Sequence, residues 1–462
     1  MATIIEQVLE GTATPAQQRT YISLPFDVPE NVSRIAVRYS YSKQVGSDPQ
    51  FTDGNTVDIG IFDARGAGFL SEGFRGWSGS ARDSFFVGQD EATPGYMPGP
   101  IMPGTWWIAL GLYKICDDGC HFMVTIALTV EDVAAPAVDF PSLLPLRSQS
   151  PARGPAPDGW YKGELHCHSE HSDGDSSVTE IIQLAQSLAL DFLAITDHNN
   201  ITQLAALNTE GTPLMLIPGY EVTNYNGHWN VWGGQGWIDF RIETAEQMEA
   251  AMQQARRHGF LVSCNHPRPF GPEWVFESVE AYDCIEVWNG PWPFLNSHCL
   301  SFWEQRLNQG KRFVAVGGSD NHFLKREHGA KLGYPTNYVY CAGDPSPAAI
   351  LQAIRQGHNF ITESPDGPQL YLQSGNAMMG DTVPSGTNTV TVRVLDGGGT
   401  QLELHSDRGI EQTCAVEADD CQFEISLKAG SRLYVRAQLV DPADEDRRVR
   451  ALTNPIYFAQ AD

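Results

Sequence analysis

The alternation of apolar and polar positions divides the chain into three regions. From about residue 19 to 130, short runs such as TYISLPFDV, RIAVRYSYS, VDIGIFDA, TWWIALGLY and HFMVTIALTV alternate with a period of two and are broken by Gly, Pro, Asn and Asp. Side chains two apart share a strand face, so residues 1–133 are expected to form an antiparallel β-sandwich. The proline-rich stretch AAPAVDFPSLLPLRSQSPARGPAP predicts an extended connector over 134–159. Beyond Trp160 the period changes. FLAITDH, LMLIPGYEV, FLVSCNHP, CIEVWNG and RFVAVGGSDNH are continuous apolar runs ending in polar residues, the pattern of buried parallel strands. Between them lie amphipathic stretches such as SSVTEIIQLAQSLAL and TAEQMEAAMQQARRHG, the latter closing on Gly259 as a helix C-terminus does. Adding GELHCH and HWNVWG gives seven strands, which predicts an α/β fold with a TIM-like barrel over 160–364 and its functional groups at the strand C-terminal ends. From 365 to 462, TVTVRVLD, QLELHSD, CQFEISL and RLYVRAQLV alternate again, predicting a second β-sandwich.

Composition narrows the function. Thirty Lys and Arg against 56 Asp and Glu give a formal charge of -26, which argues against binding DNA, RNA or an anionic membrane through a basic surface. No apolar run is long enough to span a bilayer and no signal peptide is read at the N-terminus, so a cytoplasmic protein is expected. Nine cysteines, an odd number, fit free thiols better than a disulfide framework, although Cys116/Cys120 and Cys414/Cys421 are close enough in sequence to face one another across hairpins.

The chemistry gathers at the predicted strand ends. In HCH, His166 and His168 share one strand face while Cys167 points away. Asp197 and His198, Glu221, His228, His266, and Asp320 with His322 end or open the other runs, so six of thirteen histidines occupy predicted strand termini on one side of one barrel. So many carboxylates in a buried mouth require cations. Imidazole and carboxylate without thiolate suit Zn, Mn or Fe, and eight or nine ligands imply two or three divalent ions, with Glu221 able to bridge.

HCHSEHSDG, AITDHN, IPGYEVT, NHP and GGSDNH, in this order, resemble the polymerase and histidinol phosphatase (PHP) metallohydrolase superfamily. GHWN and the flanking sandwiches resemble its carbaryl-hydrolase-like branch. The resemblance covers roughly residues 160–364 and implies a distorted seven-stranded barrel with a trinuclear centre. Carried over residue by residue, it implies that His166, His168 and Asp320 hold one ion and that Glu221 bridges to a second held by His228 and His266. Asp173, His198 and His322 would hold the third.

The implied activity is hydrolysis of a small anionic phosphate ester by a hydroxide shared between ions, since coordination lowers the pKa of water to about 7. Arg268, two positions beyond His266, is expected to grip phosphate oxygens, and Asn289 to orient the substrate. His171 and His328 are candidate proton donors to the leaving group, the latter in a basic loop with Lys325, Arg326 and Lys331. Asp197 is expected to support the ligands from behind. A second reading is carbamate or aryl ester hydrolysis, with Trp229, Trp232, Trp288 and Trp292 enclosing an aromatic leaving group. A reading of another class is a non-catalytic metal- or glycan-binding protein.

Overall fold

A computed structural model describes residues 2–131 and 158–459, apart from positions 49, 210, 235, 272, 344, 386–388 and 428–431. The connector expected over 134–159 lies outside the described residues except for its last two. The N-terminal region forms two four-stranded antiparallel sheets. One has the order β1 (Thr3–Ala13), β8 (Cys120–Val130), β3 (Val32–Tyr41), β6 (Ser84–Gly88). The other runs β2 (Tyr21–Val28), β7 (Gly104–Lys114), β4 (Thr56–Phe62), β5 (Phe74–Gly79). Their alternating apolar positions meet in one core that includes Ile35, Val37, Ile59, Ile108, Val124 and Ile126.

The central region opens with β9 (Trp160–Glu164), flanked by parallel β10 (Phe192–Ala194), which in turn pairs with parallel β11 (Met215–Ile217). A second sheet has the order β12 (Gly219–Asn224), β13 (Gly227–Trp232), β14 (Leu261–Cys264), β15 (Cys284–Asn289), β16 (Val314–Gly318). Helices α1 (Val178–Ser187) and α3 (Ala245–Arg257) start at capping boxes, Ser177 with Glu180 and Thr244 with Gln247, and bury Ile181, Ile182, Met248 and Met252. The remaining helices are α2 (Gln203–Thr209), α4 (Asn296–Asn308) and α5 (Pro347–Arg355).

The expected closed barrel of seven parallel strands is not what forms. β13 runs antiparallel to both neighbours, because only Tyr225 and Asn226 separate it from β12 and a parallel return needs a crossover of about a dozen residues. The free edge of β9 is taken by antiparallel β17 (Thr336–Tyr340), which leads through β18 (Asn359–Thr362) to β27 (Val449–Thr453). The result is mixed α/β with two open sheets, bridged at Cys167 with Asn321, just beyond β9 and β16, and at His198 with Glu221 of β12.

The same ladder crosses the expected boundary at 364/365. β26 (Tyr434–Val440), β23 (Gln401–Ser406) and β24 (Gly409–Ala415) continue from β27, and β21 (Thr382–Val383) joins through β28 (Ile456–Phe458). Only β20 (Ala377–Met378), β19 (Gln369–Ser374), β22 (Thr389–Leu395) and β25 (Asp420–Ser426) form a separate sheet, packed on the first over Leu370, Val392, Leu404 and Leu439. All nine cysteines are free thiols; Cys414 and Cys421 lie on strands of different sheets. Among the described residues, no helix is long and apolar enough to cross a membrane.

The N-terminal sandwich docks on the central region through polar as well as apolar contacts. Arg241 is bidentate to the buried Asp239, at 2.9 and 2.6 Å, and donates onward to the carbonyls of Ala67 and Gly68 at 2.8 and 2.9 Å, while the Leu70 N–H donates to Asp239 at 2.8 Å. Arg241→Met leaves Asp239 buried without its cation and is expected to lower the unfolding free energy by about 3 kcal/mol in a denaturant titration. An unchanged transition midpoint means that docking does not depend on this pair.

Candidate metal centre

The chain just beyond β9 keeps an extended course, held by Asp320 N–H to the His166 carbonyl at 2.7 Å, His168 N–H to the Asn321 carbonyl at 2.9 Å and Thr196 N–H to the Cys167 carbonyl at 2.7 Å. Alternation therefore continues: Cys167 packs into the apolar cluster with Ile181 and Leu193, and His166 and His168 face the opposite side, both essentially fully buried. Alternation likewise puts Glu221 and Thr223 of β12 on one face while Tyr220 and Val222 enter the core.

These strand ends converge. His166 Nε2 lies 3.4 Å from both Glu221 Oε1 and Asp320 Oδ1, and His168 Nε2 lies 3.0 Å from Asp320 Oδ1 and 3.7 Å from Glu221 Oε2. His266 Nε2 and His228 Nδ1 stand 3.5 and 3.4 Å from Glu221 Oε1. Asp173 Oδ1 stands 3.5 Å from His198 Nε2 and 3.4 Å from His322 Nε2, which are 3.2 Å apart. Three overlapping groups result: His166, His168 and Asp320; His166, Glu221 and His266; and His168, Asp173, His198 and His322. All nine residues expected to bind metal thus lie together, although His228 joins through Glu221 rather than within one of these groups.

The donor set fits transition ions. Around a tetrahedral ion with bonds of about 2.0–2.1 Å, neighbouring donor atoms stand about 3.3 Å apart, close to most of these separations. His166 supplies a second test. Its Nδ1 is 2.8 Å from Glu286 Oε1, yet its Nε2 is buried without a hydrogen-bond partner and faces two carboxylates. A ring nitrogen held that way presents a lone pair to a space that calls for a cation.

The backbone is shaped to bring these groups together. His266 and Asp320 adopt positive φ, 29° and 51°, and are held there by the N–H bond of His266 to Glu286 Oε2 at 3.1 Å and of Asp320 to the His166 carbonyl at 2.7 Å. Gly318 is required by close approach, since a Cβ there would lie 2.3 Å from His166 Cβ and 2.4 Å from Glu286 Oε1.

Residues 164–265 match the PHP domain family model. The matched stretch contains His166, His168, Asp173, His198, Glu221 and His228 and stops one residue before His266. A 69-residue stretch is 38% identical to a 5'-3' exoribonuclease of Haemophilus influenzae, and the match spans 14% of this chain and 25% of that protein. Among solved structures, a two-domain protein from Bacteroides vulgatus containing a predicted PHP-like metal-dependent phosphoesterase aligns with a TM-score of 0.36 at 17% identity, over 67% of this chain and 99% of that one. An amidohydrolase from Chromobacterium violaceum aligns with a TM-score of 0.27 at 17% identity, over 37% of this chain and 91% of that one.

Four side chains expected to act on substrate are placed otherwise. The Arg268 guanidinium donates to Asn289 Oδ1 at 2.7 Å and to the carbonyls of Phe294 and Asn289 at 2.7 and 3.3 Å, so both terminal nitrogens bond the protein while the buried Nε has no partner. Asn289 in turn donates to Glu286 Oε2 at 3.0 Å and Asp320 Oδ2 at 3.3 Å, which makes the pair a brace for the candidate centre. The His171 ring bonds Thr202 Oγ1 at 2.7 Å, in a loop contact that also takes the Gly95 N–H of the N-terminal sandwich. His328 lies exposed in the turn after β16. The four tryptophans are buried in the core, and Trp232 Nε1–H donates to the Leu165 carbonyl at 3.0 Å.

Several supporting residues escaped the sequence reading. Glu164 is fully buried and accepts the N–H groups of Leu165, His166, Ser319 and Gly333 at 2.9, 2.9, 3.1 and 2.8 Å, tying β9 to the loop after β16. Asn265 donates to Glu221 Oε1 at 2.8 Å, and Thr223 Oγ1 lies 2.6 Å from His198 Nδ1. Their signal was present as polar residues inside or just after apolar runs, GEL, CIEV and SCNHP. Asp197 takes Ser169 N–H, Ser169 Oγ–H and Ser172 Oγ–H at 2.7, 2.6 and 2.6 Å and so anchors the loop between His168 and Asp173.

Without ions, His166 and His198 carry positive charge. Burial opposes a proton on His198, but Asp173 and Glu221 push it up to about 9. His166 is raised in the same way against burial by Glu286, Glu221 and Asp320, whereas burial, His322 and His198 lower His168 to about 3. The stabilisation from His198 is complete below its ordinary value of 6.5 and is lost as pH rises through about 9. Metal-free protein is therefore expected to lose thermal stability between those values, while metal affinity rises across them because each ion displaces protons. Calorimetric Zn or Mn titrations in buffers of different ionisation enthalpy read the released protons, and a heat independent of buffer contradicts this. Glu286→Gln weakens the hold on His166 and is expected to lower metal affinity about 10–100-fold.

Proposed function

We propose that this chain is a metal-dependent phosphoester hydrolase with a three-ion centre. The observation that carries this reading is the overlap of the three donor groups: His166 and His168 each belong to two of them, and Glu221 lies against His166, His198, His228 and His266. In this reading His166, His168 and Asp320 would hold one ion, and Glu221, His228 and His266 would hold a second. Asp173, His198 and His322 hold the third. Zn, Mn or Fe suits these donors. When bound, such ions supply Lewis acidity and a water acidic enough to react at neutral pH.

The protein's own part is orientation and charge. Glu286 fixes the His166 ring, Thr223 that of His198, and Asn265 holds Glu221 in place. The Arg268 to Asn289 brace positions Glu286 and Asp320. Asp173 and His198, with His228, border a cleft that opens toward the N-terminal sandwich and gives a substrate its approach. The match to the PHP domain supports hydrolysis, and the density of cation sites favours a phosphate ester over a neutral carbamate. The free thiols suit a reducing compartment, which supports a cytoplasmic setting.

Exhaustive chelation is expected to abolish turnover and Mn or Zn to restore it. Glu221→Gln should keep the fold and lower kcat/KM by about a hundredfold or more, above the range for a merely supporting residue. A panel of p-nitrophenyl phosphate, bis-p-nitrophenyl phosphate and 1-naphthyl methylcarbamate decides the substrate class. Turnover of the carbamate alone overturns the phosphoesterase reading.

A further inference from the structure

Asp173 is held differently from the other candidate ligands. It sits in the turn 170–173 between β9 and α1, and its side chain is the most exposed of the nine, at 43% against 22% for Asp320, the next. From the central region, Asp197 anchors this turn through Ser169 and Ser172. The N-terminal sandwich holds it from the other side. Arg82, between β5 and β6, donates from Nη2 to the Glu170 carbonyl. Gly95, in the loop after β6, donates its N–H to Thr202 Oγ1 at 3.1 Å.

Thr202 is the hub of this contact. Its hydroxyl has one proton to give and two lone pairs, and all are used: it donates to Asn200 Oδ1 at 2.9 Å and accepts from the Gly95 N–H at 3.1 Å and the His171 ring at 2.7 Å. Asn200 Nδ2 then donates to the carbonyls of His171 and His198, both at 2.9 Å. Thr202 and Asn200 are buried, so one desolvated network joins the sandwich, the turn and the ligand His198. Gly95 is itself fixed. Its carbonyl accepts the Trp77 N–H of β5 at 3.1 Å, and its neighbour Tyr96 stacks on Phe85 at 3.9 Å and bonds Ser78 Oγ at 2.8 Å. The position demands glycine, because φ is 92° and a Cβ would lie 2.7 Å from the His171 carbonyl oxygen. Docking in general is served elsewhere, by Arg241 with Asp239 and by apolar packing. The Arg82 and Gly95 contacts instead fall at the carbonyls of Glu170 and His171, just ahead of Asp173.

We propose that the N-terminal sandwich completes the candidate centre: Gly95 and Arg82 are positioning residues that clamp the 170–173 turn against the central region and so hold Asp173 for the third ion. This rests on the three-ion reading for what Asp173 binds, but the clamp on the turn stands on its own contacts.

The test titrates Zn calorimetrically into the metal-free full chain, with Asp173→Asn marking which binding step belongs to the third ion. Thr202→Val keeps the side-chain shape but removes the hydroxyl at the hub, and Gly95→Ala sets a methyl against the His171 carbonyl. Each is expected to weaken that step by about tenfold or more and to leave the other two as in the wild type. Thr202→Ser, which restores the hydroxyl, is expected to bind all three ions as the wild type does. Arg82→Ala leaves the hub intact and serves if the first two variants do not fold. Folded variants that keep the third step unchanged, or that weaken all three steps alike, overturn the proposal. If the wild type takes up fewer than three ions, the three-ion reading fails by itself. The clamp is then read without metal by hydrogen exchange at the Ser172 and Gly174 amides, which donate within the turn to the Ser169 carbonyl at 3.1 and 3.0 Å. Exchange about tenfold faster in Thr202→Val is expected, and an unchanged rate overturns the clamp.

Discussion

The candidate site is organised around one carboxylate buried among imidazoles. Glu221 is wholly inaccessible, and the side chains nearest its oxygens belong to five histidines, an asparagine and a threonine. A charge so placed survives only if positive charge comes with it. In the metal-free chain that charge is protonic, which is why His166 and His198 hold protons against their burial. The surrounding architecture keeps these groups in place: Glu164 gathers four backbone N–H groups under the site, Glu286 grips His166, and His266 and Asp320 are held in left-handed backbone.

What the sequence made legible follows from periodicity. The HCH triplet could be divided into inward and outward side chains because a strand has a period of two, and Cys167 does enter the core. The clustering of histidines at run ends was visible for the same reason: an apolar run that stops at a polar residue marks where a strand leaves the interior. Periodicity does not report which edge a strand offers to which neighbour. The closed barrel was therefore the natural expectation, and it failed where the Tyr225–Asn226 hairpin reverses β13 and where β17 occupies the free edge of β9.

The roles of Arg268 and the tryptophans were misread on related grounds. An arginine two residues from a ligand looks like a substrate clamp, but its reach is decided by partners distant in sequence, here Asn289 and Phe294. Trp229 and Trp288 were placed at the mouth by their proximity to His228 and Asn289, whereas they belong to the buried core. Conversely, the aromatic residues that border the cleft include Trp77 and Tyr113, which precede His166 by 89 and 53 positions in the chain and meet the site only in space. No local pattern announces such a wall, because it arises from docking one region against another.

The ladder that runs without interruption from β11 through β9, β17 and β18 into β27, β26 and β23 removes any natural seam between the central and C-terminal regions. Excising the central region at 364 would strip β18 of β27 and expose a raw backbone edge, the kind that recruits other chains. The C-terminal strands are thus inseparable from the sheet whose β9 leads into His166.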